Sequence, residues 1–226
     1  MTTLILVLAA TTVWDGVYTA EQAGRGKVVY ETHCSVCHRS DLSGGEARPL
    51  VGAKFWESWG EDDLSSLFDV IRQRMPASAP HSLGDGTYVD ILAYVLERND
   101  FPAGVHELTA GSISGIQVVG RNGPAPVPNF SLVRVVGCLE ELGPGVWRLV
   151  RSSEPFRTRD PAPSQGTEHD RSLTTALGDQ AFNLMDAYDE PAGHSSQKAE
   201  VKGLLMRGTP NRINFSSLQI LSPSCR

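Results

Sequence analysis

Two cysteines separated by two residues and followed at once by a histidine, Cys34-Ser35-Val36-Cys37-His38, constrain this chain more than any other feature. Three chemistries use such a pair. A structural zinc site needs four ligands, usually a second Cys-x-x-Cys knuckle or two histidines at metal spacing. The other two cysteines, Cys138 and Cys225, are far apart and form no second knuckle. A thioredoxin-like redox pair follows a strand and opens a helix, whereas this pair closes a helical pattern and precedes a glycine-rich stretch. The third chemistry uses all three residues. Cys-x-x-Cys-His is the attachment run for haem c: the thiols of Cys34 and Cys37 add to the two vinyl groups as thioethers, one helical turn apart, and His38 becomes the proximal iron ligand. This is the reading adopted, with one covalently attached haem c.

A haem that carries electrons takes a second axial ligand. Met75, just before Pro76, is the leading candidate, because a thioether is a soft donor that favours ferrous iron. His81 is a rival; His33 adjoins the attachment run and is poorly placed to reach the opposite face. A methionine is also a common gap-filler in cores. Trp56 and Trp59 either wall a haem crevice or pack as ordinary core aromatics. Arg72 and Arg74 either pair with propionates or end a helix in solvent.

The chain has 226 residues, 40% hydrophobic and 20% charged, as in an ordinary globular protein. That length suits one large or two small domains. Its formal net charge of -6 argues against a nucleic-acid partner. Residues 1–12 read as a signal-peptide remnant, with an apolar run from Leu4 to Ala10 and small residues at its end, although the basic start is missing. No other stretch approaches the ~18 apolar residues needed to cross a bilayer, so no transmembrane anchor is expected. Residues 13–104 read as helical. Thr19-Ala-Glu-Gln22 forms a capping box, Leu64, Leu67, Phe68 and Ile71 make one apolar stripe, and Tyr88, Ile91, Leu92, Val95 and Leu96 make another. Residues 105–128 accumulate Gly, Ser, Asn and Pro and read as a linker.

Residues 15–104 resemble a class I cytochrome c domain. The matching features are Gly26 and Tyr30, the Cys34–His38 run, Pro49-Leu-Val-Gly52, Met75-Pro76, and Ile91-Leu-Ala-Tyr-Val-Leu96. The resemblance implies an all-α fold whose first and last helices cross at a glycine–aromatic contact, matched by Gly26 and Tyr94. It also implies that the Pro49 carbonyl accepts a hydrogen bond from His38, orienting the ligand. The run from Trp14 to Gly104 is more loosely similar to cytochrome domains associated with periplasmic quinone-dependent alcohol dehydrogenases, which points to such a dehydrogenase as redox partner.

From 129 onward the periodicity changes to two. Strands are expected at 132–139, 146–151, 181–184, 199–205 and 218–221, with 212–215 beginning the last; 154–180 reads as a long exposed loop. The expected fold class is therefore α + β in two domains: an all-α cytochrome c domain, then a small antiparallel β-barrel over 129–226, OB-like in type. The echo of Val135-x-Gly137-x-Leu139 in Val201-x-Gly203-x-Leu205 suggests bulges or sharp bends. Cys138 and Cys225 fall on the first strand and just past the last. In an oxidising compartment they pair as a disulfide; in a reducing one they stay buried thiols. Haem c is attached outside the cytoplasm, so a periplasmic or otherwise extracytoplasmic location and a disulfide are expected together. The expected function is electron carriage rather than catalysis. The alternatives are a haem-based ligand sensor and a barrel-domain binding protein with an accessory haem module.

Overall fold

The computed structural model describes residues 11–187 and 191–225. The segment read as a leader remnant, 1–12, lies outside the described residues except for Thr11 and Thr12. The chain divides into two compact units, 1–125 and 126–226.

In the first unit the elements run α1 (Ala20–His33), α2 (Ser35–His38), α3 (Ala53–Trp59), β1 (Asp62–Asp63), α4 (Leu64–Arg74), α5 (Asp85–Arg98) and β2 (Gln117–Val118). Helix α1 starts where Thr19, in extended backbone, accepts a hydrogen bond from the Gln22 N–H at 3.2 Å. That satisfies one of the helix's free donors. Asp63 caps α4 in the same way through Ser65 N–H. The expected apolar stripes are buried: Leu64, Leu67, Phe68 and Ile71 on α4, and Tyr88, Ile91, Leu92, Val95 and Leu96 on α5. They share one core with Tyr18, Tyr30, Phe55 and Phe101.

Helices α1 and α5 cross at backbone contact distance. A β-carbon at Gly26 would lie 1.8 Å from the carbonyl oxygen of Asp90. The glycine of the crossing therefore meets the backbone of Asp90. Tyr94, expected opposite Gly26, packs its ring edge-on against Tyr30, with centroids 5.3 Å apart.

Two expectations are corrected. Gln22 does not reach back to complete a capping box. Its buried amide donates to the Leu108 carbonyl at 2.8 Å and accepts from the Leu108 N–H at 2.9 Å. The segment 105–125, read as linker, is thereby part of the first unit, where Leu108, Ile113, Ile116 and Val118 enter the core. The Trp14 indole N–H donates to the Val119 carbonyl at 2.7 Å, and the Arg121 guanidinium lies over the Trp14 ring. β1 pairs antiparallel with β2, so the unit is helical with a minor two-stranded sheet rather than wholly α.

The second unit contains β3 (Leu132–Gly143), β4 (Val146–Ser152), β5 (Phe156–Arg157), α6 (Gly166–Thr174), β6 (Gln180–Met185), β7 (Lys198–Met206) and β8 (Arg212–Ser222). Following the pairings from β3 leads through β4, β6, β8 and β7 back to β3. Each of these five strands thus has two neighbours within the circuit, and β3 also pairs with β5. One pair, β6 with β8, is parallel, which corrects the wholly antiparallel expectation: β7 follows β6 in the chain but pairs with β3 and β8. Gly203 sits at a register shift between β7 and β8. Val133, Val135, Leu139, Trp147, Leu149, Phe182, Val201, Leu205 and Ile213 form the interior.

Residues 154–180 are not simply an exposed loop, since they include β5 and α6. Alternation puts Arg134 of β3 and Lys202 of β7 on the opposite face from Val133, Val135 and Val201. Helix α6 brings Glu168 to that face, where its carboxylate accepts from the Lys202 ammonium at 2.8 Å. Arg134 donates to Ser172, which also bonds Glu200. Lys202 is fully buried and Arg134 is 5% exposed, a position a cation tolerates only when paired.

Candidate functional site

Cys34, Cys37 and His38 are assembled by a single turn. Cys34 N–H closes α1 on the Tyr30 carbonyl at 2.8 Å, and Cys37 and His38 then donate to the Cys34 carbonyl at 3.2 and 3.0 Å. The two thiols stay separate from each other. Burial, and secondarily the nearby Cys37 thiol, push Cys34 up to about 11. That is the reverse of the lowered value an attacking redox cysteine needs. Among the described residues no group of three or more His, Cys, Asp and Glu side chains is placed to hold a metal ion.

The chain after His38 turns back over this helical turn. Gly44 N–H donates to the His38 carbonyl at 3.0 Å, and Ala47 N–H to the Cys37 carbonyl at 3.1 Å. Pro49 then lies against Gly44, where an added β-carbon would stand 2.6 Å from the proline nitrogen; φ at Gly44 is +82°. Both the conformation and the space call for glycine.

His38 is buried, and its Nδ1 lies 2.8 Å from the carbonyl oxygen of Arg48. A carbonyl can only accept, so Nδ1 carries the proton and the Nε2 lone pair is left for a ligand role. The expected acceptor was the Pro49 carbonyl. The observed one belongs to the residue before it, on the peptide whose nitrogen is Pro49's own. Asn99, at the end of α5, steadies the continuation of this loop: its amide donates to the Leu50 carbonyl at 2.9 Å and accepts from Gly52 N–H at 3.3 Å.

Met75 caps α4, its N–H donating to the Ile71 carbonyl at 3.2 Å. It is half-buried, while His81 and His33 are exposed. The buried Tyr88 hydroxyl donates to the Met75 carbonyl at 2.8 Å. Trp56 packs edge-on to Phe55 and Phe101, with centroids 5.9 and 5.8 Å away, and Trp59 is buried in the same core. Arg72 reaches Asp85 at 3.4 Å and lies over the Phe68 ring; Arg74 is exposed. Sequence reasoning singled out the three residues of the helical turn and Met75. It missed Arg48, whose contribution is a backbone oxygen, and the polar tips of Tyr88 and Asn99, which look like helix-stripe and helix-end residues.

In the second unit Cys138 and Cys225 are joined as a disulfide, with Cα atoms 5.7 Å apart. No helix among the described residues is long and apolar enough to cross a membrane.

Residues 21–95 match the model of the family described as cytochrome c oxidase, cbb3-type, subunit III. No curated protein and no solved structure matches the chain. The matched stretch spans α1 to α5 and contains the Cys34–His38 turn and Met75. It marks the first unit as bearing a cytochrome c domain, and so a haem-binding electron carrier that works with a redox partner.

Proposed function

We propose that this chain is an extracytoplasmic mono-haem c-type cytochrome that passes single electrons from a periplasmic dehydrogenase, or a comparable redox protein, towards a respiratory chain. Haem c would be held by thioethers to Cys34 and Cys37, with His38 and Met75 as axial ligands. The observation that carries this reading is the His38–Arg48 hydrogen bond. It sets the imidazole in the tautomer a metal ligand needs, next to Cys37 and four residues from Cys34, whose thiols are both free.

When bound, the haem supplies a one-electron ferric/ferrous couple. The chain's residues do the rest. The Arg48 carbonyl holds the His38 proton on Nδ1 and raises the basicity of Nε2. A thioether at Met75 favours the ferrous form and a high potential. With His38 and Met75 both given to the iron, no position would remain open for substrate, which fits a carrier rather than an enzyme.

The closed circuit of five strands supports reading the second unit as a small barrel of the OB type. The Cys138–Cys225 bond supports an oxidising compartment, the same setting haem attachment requires. The likeness of residues 14–104 to cytochrome domains that serve quinone-dependent alcohol dehydrogenases supports such an enzyme as electron donor.

The test is a visible spectrum of the haem-loaded protein, oxidised and reduced, for wild type and Met75→Ala. A red-edge sulfur-to-iron band present in wild type and lost in the variant is the expected result. A wild-type spectrum without that band, with rapid CO binding to the reduced protein, would remove Met75 from the iron and turn the reading towards ligand sensing.

A further inference from the structure

The segment between α4 and α5 has little of its own to hold it in place. From Ala77 to Ser82 every residue is exposed. Its internal order includes a turn in which Ala79 N–H donates to the Pro76 carbonyl at 2.9 Å. Yet Met75 sits at the head of this segment, where a ligand must be presented in one arrangement.

Both ends of the segment meet at one hydroxyl. The Tyr88 oxygen donates to the carbonyl of Met75 at 2.8 Å and accepts from the N–H of Leu83 at 3.1 Å. Tyr88 lies on the first turns of α5 and is 0% exposed, with its ring in the helical core. The hydroxyl is therefore delivered by a rigid helix to a fixed point. A buried hydroxyl with its donor and acceptor roles both used holds its partners more firmly than a solvent-facing one.

We propose that Tyr88 is the positioning residue for Met75. By tying the Met75 carbonyl to the Leu83 amide it keeps the 75–83 segment closed, and so holds the thioether where it serves as ligand, without itself touching the cofactor. This inference rests on Met75 being the axial ligand and adds what sets its occupancy. An exogenous ligand reaches the iron only through the open arrangement, so its apparent affinity scales with the open fraction.

The experiment uses the full-length haem-loaded protein as wild type, Met75→Ala, Tyr88→Phe and Tyr94→Phe. Imidazole is titrated against the sulfur-to-iron band. Tyr88→Phe keeps the ring and deletes the hydroxyl; Tyr94→Phe deletes a hydroxyl on the same helix away from Met75. The expected result is that Tyr88→Phe retains the band at rest but loses it at about fivefold lower imidazole, the effect of one net hydrogen bond on the open fraction, while Tyr94→Phe titrates as wild type. A band lost in Met75→Ala together with an unchanged titration in Tyr88→Phe overturns the positioning role and leaves Met75 as ligand. Identical spectra in wild type and Met75→Ala overturn the ligand assignment, and the positioning role with it. Should Tyr88→Phe not fold, amide exchange in the wild type decides: Leu83 N–H protected like the core of α5 supports the tie, and Leu83 exchanging as freely as Ser82 overturns it.

Discussion

The α carbon of Gly26 lies so close to Asp90 that a β-carbon there would stand 1.8 Å from the Asp90 carbonyl oxygen and 2.4 Å from its carbon. No rotamer relieves a clash between a β-carbon and backbone. Gly26→Ala must push α1 and α5 apart, and it is expected to destabilise the helical unit by about 3 kcal/mol, the upper range for overpacking. Gly24, two residues earlier on the same helix, has nothing within 4 Å of its β position. Gly24→Ala is expected to stabilise by up to about 1 kcal/mol through helix propensity. Urea unfolding followed by the helical circular dichroism signal compares the two. Equal effects would mean that the helices do not cross at Gly26.

The Cys138–Cys225 bond closes 87 residues of chain. A loop of that length loses enough unfolded-state entropy to make the bond worth about 4–5 kcal/mol in the chain-entropy account. The double variant Cys138→Ser/Cys225→Ser should lose that amount in the second unit, and reductant should bring the wild type to the same midpoint. A wild-type midpoint indifferent to reductant would show that the bond contributes little.

Acid stability of the second unit should depend on Glu168. Burial alone would push its carboxyl up, but the hydrogen bond and charge of Lys202, helped by Arg134, outweigh burial and hold it below the ordinary carboxylate range. A carboxylate that binds its proton less readily when folded adds stability above its unfolded value, near pH 4.3. That contribution is lost as pH falls through the lower folded value. The wild type should therefore lose stability on acidification below about pH 4. Glu168→Gln should be weaker at neutral pH, by about 3 kcal/mol because it strands the buried Lys202 charge, and flatter in acid. Thermal melts of both proteins between pH 3 and 7 measure this. Parallel curves would place the pH dependence elsewhere.

The helical half was legible because its signals are local. Cys34, Cys37 and His38 suggest their chemistry by adjacency, and the stripes on α4 and α5 follow from a period of 3.6 residues. What escaped depends on distant partners. Leu108, Ile113 and Ile116 stand among glycines and serines, so composition suggested a linker. They are buried because Gln22, 86 residues away from Leu108, supplies the hydrogen bonds that bring the segment in. The same non-locality hid α6: Glu168 and Ser172 read as solvent residues until Arg134 and Lys202 are placed on the far face of the sheet. The acceptor for His38 shifted by one residue, from Pro49 to Arg48, because a carbonyl oxygen leaves no mark on side-chain pattern.

The crossing of α1 and α5 also has a consequence for how the first unit folds. Its bonds span long separations; Arg25 and Asp90, which form a salt bridge beside Gly26, are 65 residues apart in sequence. A helical domain built from neighbours closes small loops and folds quickly, whereas this one must close most of its own length before the first and last helices reward each other. Until α5 docks, the turn bearing Cys34 and Cys37 has no Tyr94 against Tyr30 and no Asn99 on the following loop. The two thiols are then accessible on a short helix whose final surroundings have yet to arrive. On the proposed thioether attachment, late closure of the helix pair would leave those sulfurs to react before the core is finished.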